Sequence, residues 1–283
     1  MSSTIKKSTV SEEECEYFNS ISSIWWNNPK LFCLQKLCEL FSPYMCSIIK
    51  ETFPDKPLSS LRVLEVGCGG GFLSEALARA GCNLVAIDVV EELLDIAKSH
   101  SKSNPSVPKI TYLLESIEDH CNKNYQEYDV VISNFVLEHV ADHHYFIKCC
   151  SNCVKPKGLL FMSALPKTLI CRFMGIFMAE KILRVIPKGM HDYEKCIKAS
   201  DAERIIRSNN FEIKRTRGAI CNPFTYSAYF FPSTKLYYII CANELYDQTW
   251  CLLTPNEKKR MRCRKDERDK LEGFTEDEFF EMH

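Results

Sequence analysis

A glycine-rich stretch, VLEVGCGGG at residues 63–71, joins a run of apolar residues to an apparent helix, GFLSEALARAG. Glycine loses more conformational entropy on folding than any other residue, so three in a row indicate a tight turn or a close approach to bare backbone. A short buried strand, a glycine turn and a helix are together typical of the first unit of an open α/β sheet. This feature restricts the fold more than any other in the 283-residue chain.

Strand-like segments recur after this turn. The strand candidates are NLVAIDV, ITYLLES, YDVVISNFVL and LLFMSAL, and the helix candidates among them are EELLDIAKSHSK and DHHYFIKCCSNCV. Strands that alternate with helices predict a doubly wound, mostly parallel α/β sheet. FEIKRTRGAI and TKLYYIICANE then predict a final pair of strands.

The organisation along the chain follows from the same patterns. We predict a disordered N-terminus over residues 1–14 and one α/β domain over 15–250, which begins with a helical segment interrupted at Pro29. A tail of mixed charge covers residues 251–283.

Composition excludes several classes of protein. The net charge of −1 argues against a general nucleic-acid binder, since those are usually basic. No apolar run reaches the roughly 20 residues that cross a bilayer, and the N-terminus has no signal-peptide core, so we expect a soluble protein. The 16 cysteines lack zinc-like spacing. Cys149, Cys150 and Cys153 are expected to be buried thiols in a reducing compartment.

The glycine turn predicts a ligand site, because ligands of open α/β sheets bind beyond the C-terminal ends of the strands. Gly67 and Gly69 would let a ligand lie against bare backbone, and the helix N-terminus favours a carboxylate or phosphate. Asp88 ends the second strand, 21 residues after Gly67, where its carboxylate can accept hydrogen bonds from both hydroxyls of a ribose. NAD fits this spacing as well.

Further residues help to distinguish NAD from other ligands that contain a ribose. Ser116 and Ile117, in LLESIEDH after the third strand, could meet an adenine edge, and Asn134 follows the fourth strand. The order VLEVGCGGG, AID, ESIED, YDVVISNFVLEHV and VKPKGLL resembles the class I S-adenosylmethionine-dependent methyltransferases. This resemblance implies that S-adenosylmethionine places its methionine part over the glycines and its ribose at Asp88.

From about Phe18 to Glu244, the chain more closely resembles the ubiquinone-biosynthesis O-methyltransferases. The shared features are the double tryptophan Trp25-Trp26, the triplet Glu138-His139-Val140 after the fourth strand, and an apolar insertion after the fifth strand, at about residues 166–198, closed by PKGMHDY. The resemblance implies methylation of phenolic hydroxyls on polyprenylated ubiquinone precursors, at two steps of that pathway. It also implies cofactor contacts at Gly67, Asp88 and Asn134.

The family's magnesium site, Glu-x-x-Glu-His, is only partly present. Glu138 and His139 match it, but Phe135 stands at the first glutamate, and a hard cation prefers more oxygen ligands. The arginine that the family uses near the cofactor aligns with Phe41, and Ser163-Ala164 replaces an Asn-Arg pair. Two hypotheses remain for activating the phenol: Glu138 and His139 hold magnesium against a catecholate, or His139 acts as the base. His191 could contact substrate or form a structural hydrogen bond.

The insertion predicts where the protein acts. Between residues 169 and 186 its apolar positions share one helical face with basic residues around it, a pattern shared by interfacial helices and by lid helices. The family implies a polyprenyl substrate, peripheral attachment to the matrix side of the mitochondrial inner membrane, and a multiprotein biosynthetic complex. Two alternatives stay open: methylation of another hydrophobic phenol, and a weakened paralogue that binds cofactor or lipid as a scaffold.

Overall fold

The structure is a computed structural model that describes residues 8–173, 193–222 and 224–245. Within these ranges eight strands form one sheet: β1 Arg62–Val66, β2 Asn83–Asp88, β3 Thr111–Leu114, β4 Tyr128–Asn134, β5 Val154–Ala164, β6 Phe211–Asn222, β7 Ser227–Phe231 and β8 Tyr237–Glu244. The helices are α1 Glu12–Ile21, α2 Phe32–Thr52, α3 Phe72–Arg79, α4 Glu91–Ser103, α5 Ile117–Lys123, α6 His143–Cys153 and α7 Ala199–Ser208.

The strands lie in the order β3-β2-β1-β4-β5-β8-β6-β7. The first five strands pair in parallel, and β8 joins β5 antiparallel. The order reverses between β1 and β4, which is the switch point where ligands of doubly wound sheets bind. The predicted fold class is confirmed.

The side chains of each central strand point alternately to the two faces of the sheet, which explains why helices cover both faces. Val130 and Ile132 of β4 pack in one core with side chains of α2 and α3, whereas Val131 packs in a second core with side chains of α6 and α7. Successive strand residues point to opposite faces, so an uninterrupted apolar run must be buried on both sides.

Two segments differ from the sequence predictions. The sequence predicts two final strands, but the structure has three, because Ser227–Phe231 forms β7 at the sheet edge beside β6. The prediction of disorder through residue 14 is wrong for residues 8–14, since α1 begins at Glu12 and Thr9 is buried. Three glutamates in the first turn of α1 suit the positive end of a helix as well as they suit a solvated tail.

The thiol prediction agrees with the structure. Cys149, Cys150 and Cys153 lie in α6, and all three are buried and free. The charged tail lies outside the described residues, and so does the insertion from residue 174 to 192, which includes His191.

Candidate functional site

The glycine turn between β1 and α3 folds through left-handed backbone. Gly67, Gly69 and Gly71 have φ of +73°, +52° and +92°, a region that side-chain-bearing residues rarely adopt. The N–H groups of Gly67 and Cys68 donate to the carbonyl of Ile87, 2.9 and 3.1 Å away, which ties the turn to β2. The turn therefore lies at the switch point, as the sequence predicts.

Asp88 is held against this turn. Its Oδ2 accepts a hydrogen bond from the Gly69 N–H at 2.7 Å, and its Oδ1 accepts one from the Val90 N–H at 3.0 Å. Burial raises the pKa of Asp88, and these backbone donors oppose that rise. A carboxylate oxygen has room for more than one donor, so Asp88 can also accept from a ligand hydroxyl.

A cavity lies beyond the C-terminal ends of β1, β2 and β4. Most of the predicted site residues line it, namely Gly67, Gly69, Asp88, Ile117, Asn134, Glu138 and His139. Ser116 is not a lining residue. Its hydroxyl instead accepts from the Asp119 N–H at 3.2 Å and caps α5, while its neighbour Glu115 lines the cavity.

Asn134 is fixed at the end of β4 by two side chains. Its Oδ1 accepts from the Ser163 hydroxyl at 2.5 Å, and its Nδ2 donates to Cys38 Sγ at 3.4 Å. Ser163 is one of the departures from the family pattern noted above, and here it orients a predicted cofactor residue.

Phe135 and Phe41, the other two departures, contact each other. Their rings stack with centroids 5.9 Å apart, and the Phe135 ring meets Tyr237 edge-on at 5.8 Å. Phe135 has φ of +58°, so its backbone holds an uncommon conformation for a bulky residue. Strained backbone of this kind is concentrated at functional sites.

Glu138 is completely buried. Neither of its carboxylate oxygens has a hydrogen-bond partner within the part of the chain that the structure describes. Burial raises the pKa of Glu138 to about 8. Nearby backbone N–H groups lower this pKa by a smaller amount, and the negative charge of Glu14 raises it further. Burial therefore favours the protonated form of this side chain.

His139 is paired with a residue that sequence reasoning missed. Its Nδ1 lies 2.9 Å from Oε2 of Glu14 in α1, and the other Glu14 oxygen accepts from Lys195 Nζ at 2.7 Å. Burial raises the pKa of Glu14, but the hydrogen bonds from His139 and Lys195 outweigh it, so the pKa lies below its ordinary value. No sequence pattern links Glu14 to His139, because 125 residues separate them.

The N-terminal segment reaches the cavity at a second point. The Thr9 N–H donates to Glu118 at 2.8 Å, and the Thr9 carbonyl accepts from the Ala141 N–H at 3.1 Å. Thr9, Glu14 and Phe18 all line the cavity. Residues 9–18 therefore form part of the wall of the site.

The described residues do not fit a magnesium ion. Within the described ranges, no group of three or more His, Cys, Asp or Glu side chains is placed to hold a metal. Phe135 offers no ligand atom, and His139 already engages Glu14 through Nδ1. Magnesium prefers several oxygen ligands, and the described residues at this position do not supply them.

The fold and this site define a class I methyltransferase. The methyltransferase domain family matches residues 64–162. Crystal structures of magnesium protoporphyrin IX methyltransferase from Synechocystis PCC 6803 share the fold. The structure with bound SAH has a TM-score of 0.56 at 22% identity, over 81% of this chain and 96% of that one. The structure with bound SAM has a TM-score of 0.55 at 19% identity, over 84% and 100%.

The chain belongs to the ubiquinone biosynthesis O-methyltransferase family. It is 34% identical to the mitochondrial enzyme of Rattus norvegicus over 81% of this chain and 68% of that protein. The mitochondrial human enzyme is 32% identical, and the match spans 64% of its length, slightly less than two thirds. The Rhizobium etli (strain CIAT 652) enzyme is 32% identical over 77% of this chain and 90% of its own length. The predicted family is confirmed, and it has mitochondrial and bacterial members.

None of the described helices combines the length and apolar character needed to cross a membrane.

Proposed function

We propose that this protein is an S-adenosylmethionine-dependent O-methyltransferase for phenolic hydroxyls of polyprenylated ubiquinone precursors. The observation that carries the proposal is one cavity that joins the glycine turn and Asp88 to the Glu138-His139 pair. The family supplies the reaction and the substrate class.

The lining residues fit S-adenosylmethionine. The turn at Gly67 and Gly69 would hold the methionine part, Asp88 would accept from the ribose hydroxyls, and Ile117 would offer an apolar face to the adenine. When bound, the cofactor supplies the methyl group as a sulfonium. The task of the protein is then to align the acceptor oxygen and remove its proton.

His139 is the proposed base. The hydrogen bond between Nδ1 and the ionised Glu14 favours the tautomer with its proton on Nδ1, which makes Nε2 the acceptor. The hydroxyl proton of the acceptor would pass to Nε2 as the new O–CH3 bond forms, and the electron pair of the broken C–S bond would remain on sulfur. Glu14 would then stabilise the imidazolium.

The first test is methyl transfer from labelled S-adenosylmethionine to a short-tailed prenyl catechol. We expect His139→Ala to abolish turnover and His144→Ala, an exposed neighbour, to leave it unchanged. Turnover that persists in chelator would support His139 as the base. Turnover that requires added magnesium would favour the metal hypothesis for Glu138 and His139.

A second candidate function is a scaffold that binds cofactor without turnover. The observation that favours it is the Phe41–Phe135 stack, which places apolar rings where the family has an arginine and a glutamate. Cofactor binding by calorimetry with no turnover on prenyl catechols would select the scaffold. Turnover on unprenylated hydrophobic phenols alone would select an enzyme with another substrate.

We further propose that the insertion attaches the protein to a membrane surface, at the matrix side of the mitochondrial inner membrane in a mitochondrial setting. Leu169 and Phe173 are 76% and 56% exposed at the start of the insertion, with Lys167 and Arg172 beside them. Exposed apolar groups with basic neighbours suit an anionic bilayer. Association with a multiprotein biosynthetic complex is a further proposal that the family motivates.

Flotation with anionic liposomes tests the membrane proposal. Leu169→Ser with Ile170→Ser should reduce flotation. Phe224→Ser is the control, because Phe224 is 73% exposed, close to Leu169, but lies in the loop between β6 and β7. Equal flotation of all three proteins, or none by the wild type, would contradict the proposal.

A further inference from the structure

The double tryptophan lies against the glycine turn. The Trp25 ring is buried, and it occupies the space where side chains on Gly69 and Gly70 would point. A Cβ on Gly69 would lie 3.0 Å from Trp25 Cζ2, and a Cβ on Gly70 would lie 2.6 Å from Cγ. Real Cβ atoms essentially never approach a neighbour as closely as the second distance.

Gly70 is therefore a glycine because of this ring. It is not among the glycines with positive φ, so its backbone conformation is open to any residue. Its lack of a side chain is explained by the close approach of Trp25. The sequence predicts a close approach by a ligand at Gly67 and Gly69, but at Gly70 the group that approaches is an indole of the same chain.

Trp26 holds the same turn by a different contact. Its Nε1 donates to the Gly70 carbonyl at 2.9 Å. The indole stacks on the His100 ring with centroids 3.5 Å apart and an interplanar angle of 5°. His100 Nδ1 in turn lies 2.6 Å from Oε1 of Glu75 in α3. Trp26 thus connects the turn to the helix α4 that carries His100 and, through it, to α3.

The turn is also bonded to Asp88. The Gly69 N–H that donates to Asp88 belongs to the residue that Trp25 covers. A shift of the Trp25 ring would therefore move both the bare backbone and the carboxylate proposed to receive the ribose. Trp25 and Gly69 both line the cavity.

We infer that Trp25 and Trp26 are positioning residues for cofactor binding: they fix the Gly69–Gly70 backbone in the shape that receives S-adenosylmethionine. This inference rests on the proposed function, since it assumes that the turn binds that cofactor. The tryptophans act through the turn and are not catalytic residues. A positioning role predicts changes in cofactor affinity that exceed those expected from lost stability alone.

The test is calorimetric titration of S-adenosylmethionine into the full chain and its variants. Gly70→Ala should weaken binding by about tenfold or more, because the added methyl displaces the turn or the ring. Trp25→Leu should also weaken binding. The double variant Trp25→Leu/Gly70→Ala should bind more tightly than Gly70→Ala alone, because the smaller side chain makes room for the methyl group.

Trp26→Phe is the second variant. It keeps an aromatic ring at this position and removes the indole donor, so it should weaken cofactor binding by about three- to tenfold. Gly81→Ala is the control for lost stability alone: its φ of +97° makes the substitution costly, but a Cβ there has no atom within 4 Å and the residue lies just beyond the far end of α3. Should Trp25→Leu fail to fold, Gly70→Ala and Trp26→Phe carry the test.

The outcomes separate the inference from the proposed function. Wild-type protein that binds no S-adenosylmethionine would overturn the proposed function. Wild-type binding with unchanged dissociation constants in Gly70→Ala and Trp26→Phe, even if their melting temperatures fall, would overturn the positioning role. Weaker binding in both, with partial recovery in the double variant, would support it.

Discussion

At the scale of single residues, two glycines differ in why a side chain at their position is unfavourable. Gly81 has φ of +97° and open space where a side chain would point. Gly218 has no positive φ, but a side chain there would collide with the backbone carbonyl of Ser233. The first position restricts the backbone angle, whereas the second restricts the space, and the two restrictions have different energetic costs.

We predict that Gly218→Ala destabilises the protein more than Gly81→Ala. Left-handed backbone costs a residue with a Cβ about 1–2 kcal/mol, which is the expected loss at Gly81. A collision with backbone cannot be relieved by turning a side chain, so Gly218→Ala should cost about 3 kcal/mol or more. Urea unfolding measures both losses, and equal losses would contradict this assignment.

Glu65 gives a prediction for pH. Burial raises the pKa of Glu65 to about 8, the charge of Asp88 adds to the rise, and the hydrogen bond from Ser74 opposes it. The folded state thus holds this proton more tightly than the unfolded state, whose pKa is near 4.5. Its contribution to stability is complete below pH 4.5 and is lost as the pH rises toward 8.

Glu65→Gln should therefore flatten the pH dependence of unfolding. Each pH unit between about 5 and 8 should cost the wild type at most about 1.4 kcal/mol through this group. Glutamine keeps an acceptor for Ser74 but cannot ionise. The control is Glu16→Gln, an exposed position on α1. An unchanged slope in Glu65→Gln would show that Glu65 ionises normally in the folded protein.

At the scale of helices, Ser116 is the first residue to test, because its sequence role and its structural role differ. The sequence assigns it to the cofactor, whereas its hydroxyl caps α5 in the structure. Ser116→Ala should cost about 1 kcal/mol of stability through the lost cap, and Ser116→Asp should restore it, since aspartate also caps. Thermal unfolding and cofactor titration together distinguish a capping role from a role in cofactor binding. Weaker binding in both variants at unchanged stability would return Ser116 to the cofactor site.

Helix α1 places Glu14 within hydrogen-bonding distance of His139. Glu14→Gln should lower kcat by about tenfold or more, because the imidazolium loses its ionic partner. The KM for S-adenosylmethionine should stay constant. Glu13→Gln is the matched control on an exposed neighbouring position. An equal kcat in the two variants would mean that the Glu14–His139 bond only anchors the helix.

At the scale of the whole molecule, ligand binding in the cavity should raise the free energy of unfolding. S-adenosylmethionine at one hundred times its dissociation constant should stabilise the fold by about 2.7 kcal/mol. For a domain of this size that corresponds to a rise in Tm of about 5–10 °C. Magnesium alone should leave Tm unchanged, because the described residues provide no set of three ligands. A magnesium-dependent rise would contradict this and reveal a third ligand.

Much of the fold was predictable, because burial on both faces imposes a pattern on the sequence. The continuous apolar run of β4 and the glycine turn before α3 identified the sheet and its switch point. β7 was not predicted, because YSAYFF is short and has Pro223 and Pro232 close on either side, which obscures an edge strand. Residues 8–14 were misjudged because a polar segment that packs through one buried residue, Thr9, resembles a solvated tail.

By itself, the sequence determined the class of fold and the positions of Gly67, Asp88 and Asn134 at strand ends, because periodicity and turn chemistry are local properties. The order of its motifs indicated the family. Only the tertiary structure decided the Glu14–His139 pair, the Phe41–Phe135 stack, and the contact of Trp25 with Gly70. Each of these joins side chains from distant parts of the chain. Their energies depend on which surfaces meet when the sheet is assembled, and no local pattern encodes that.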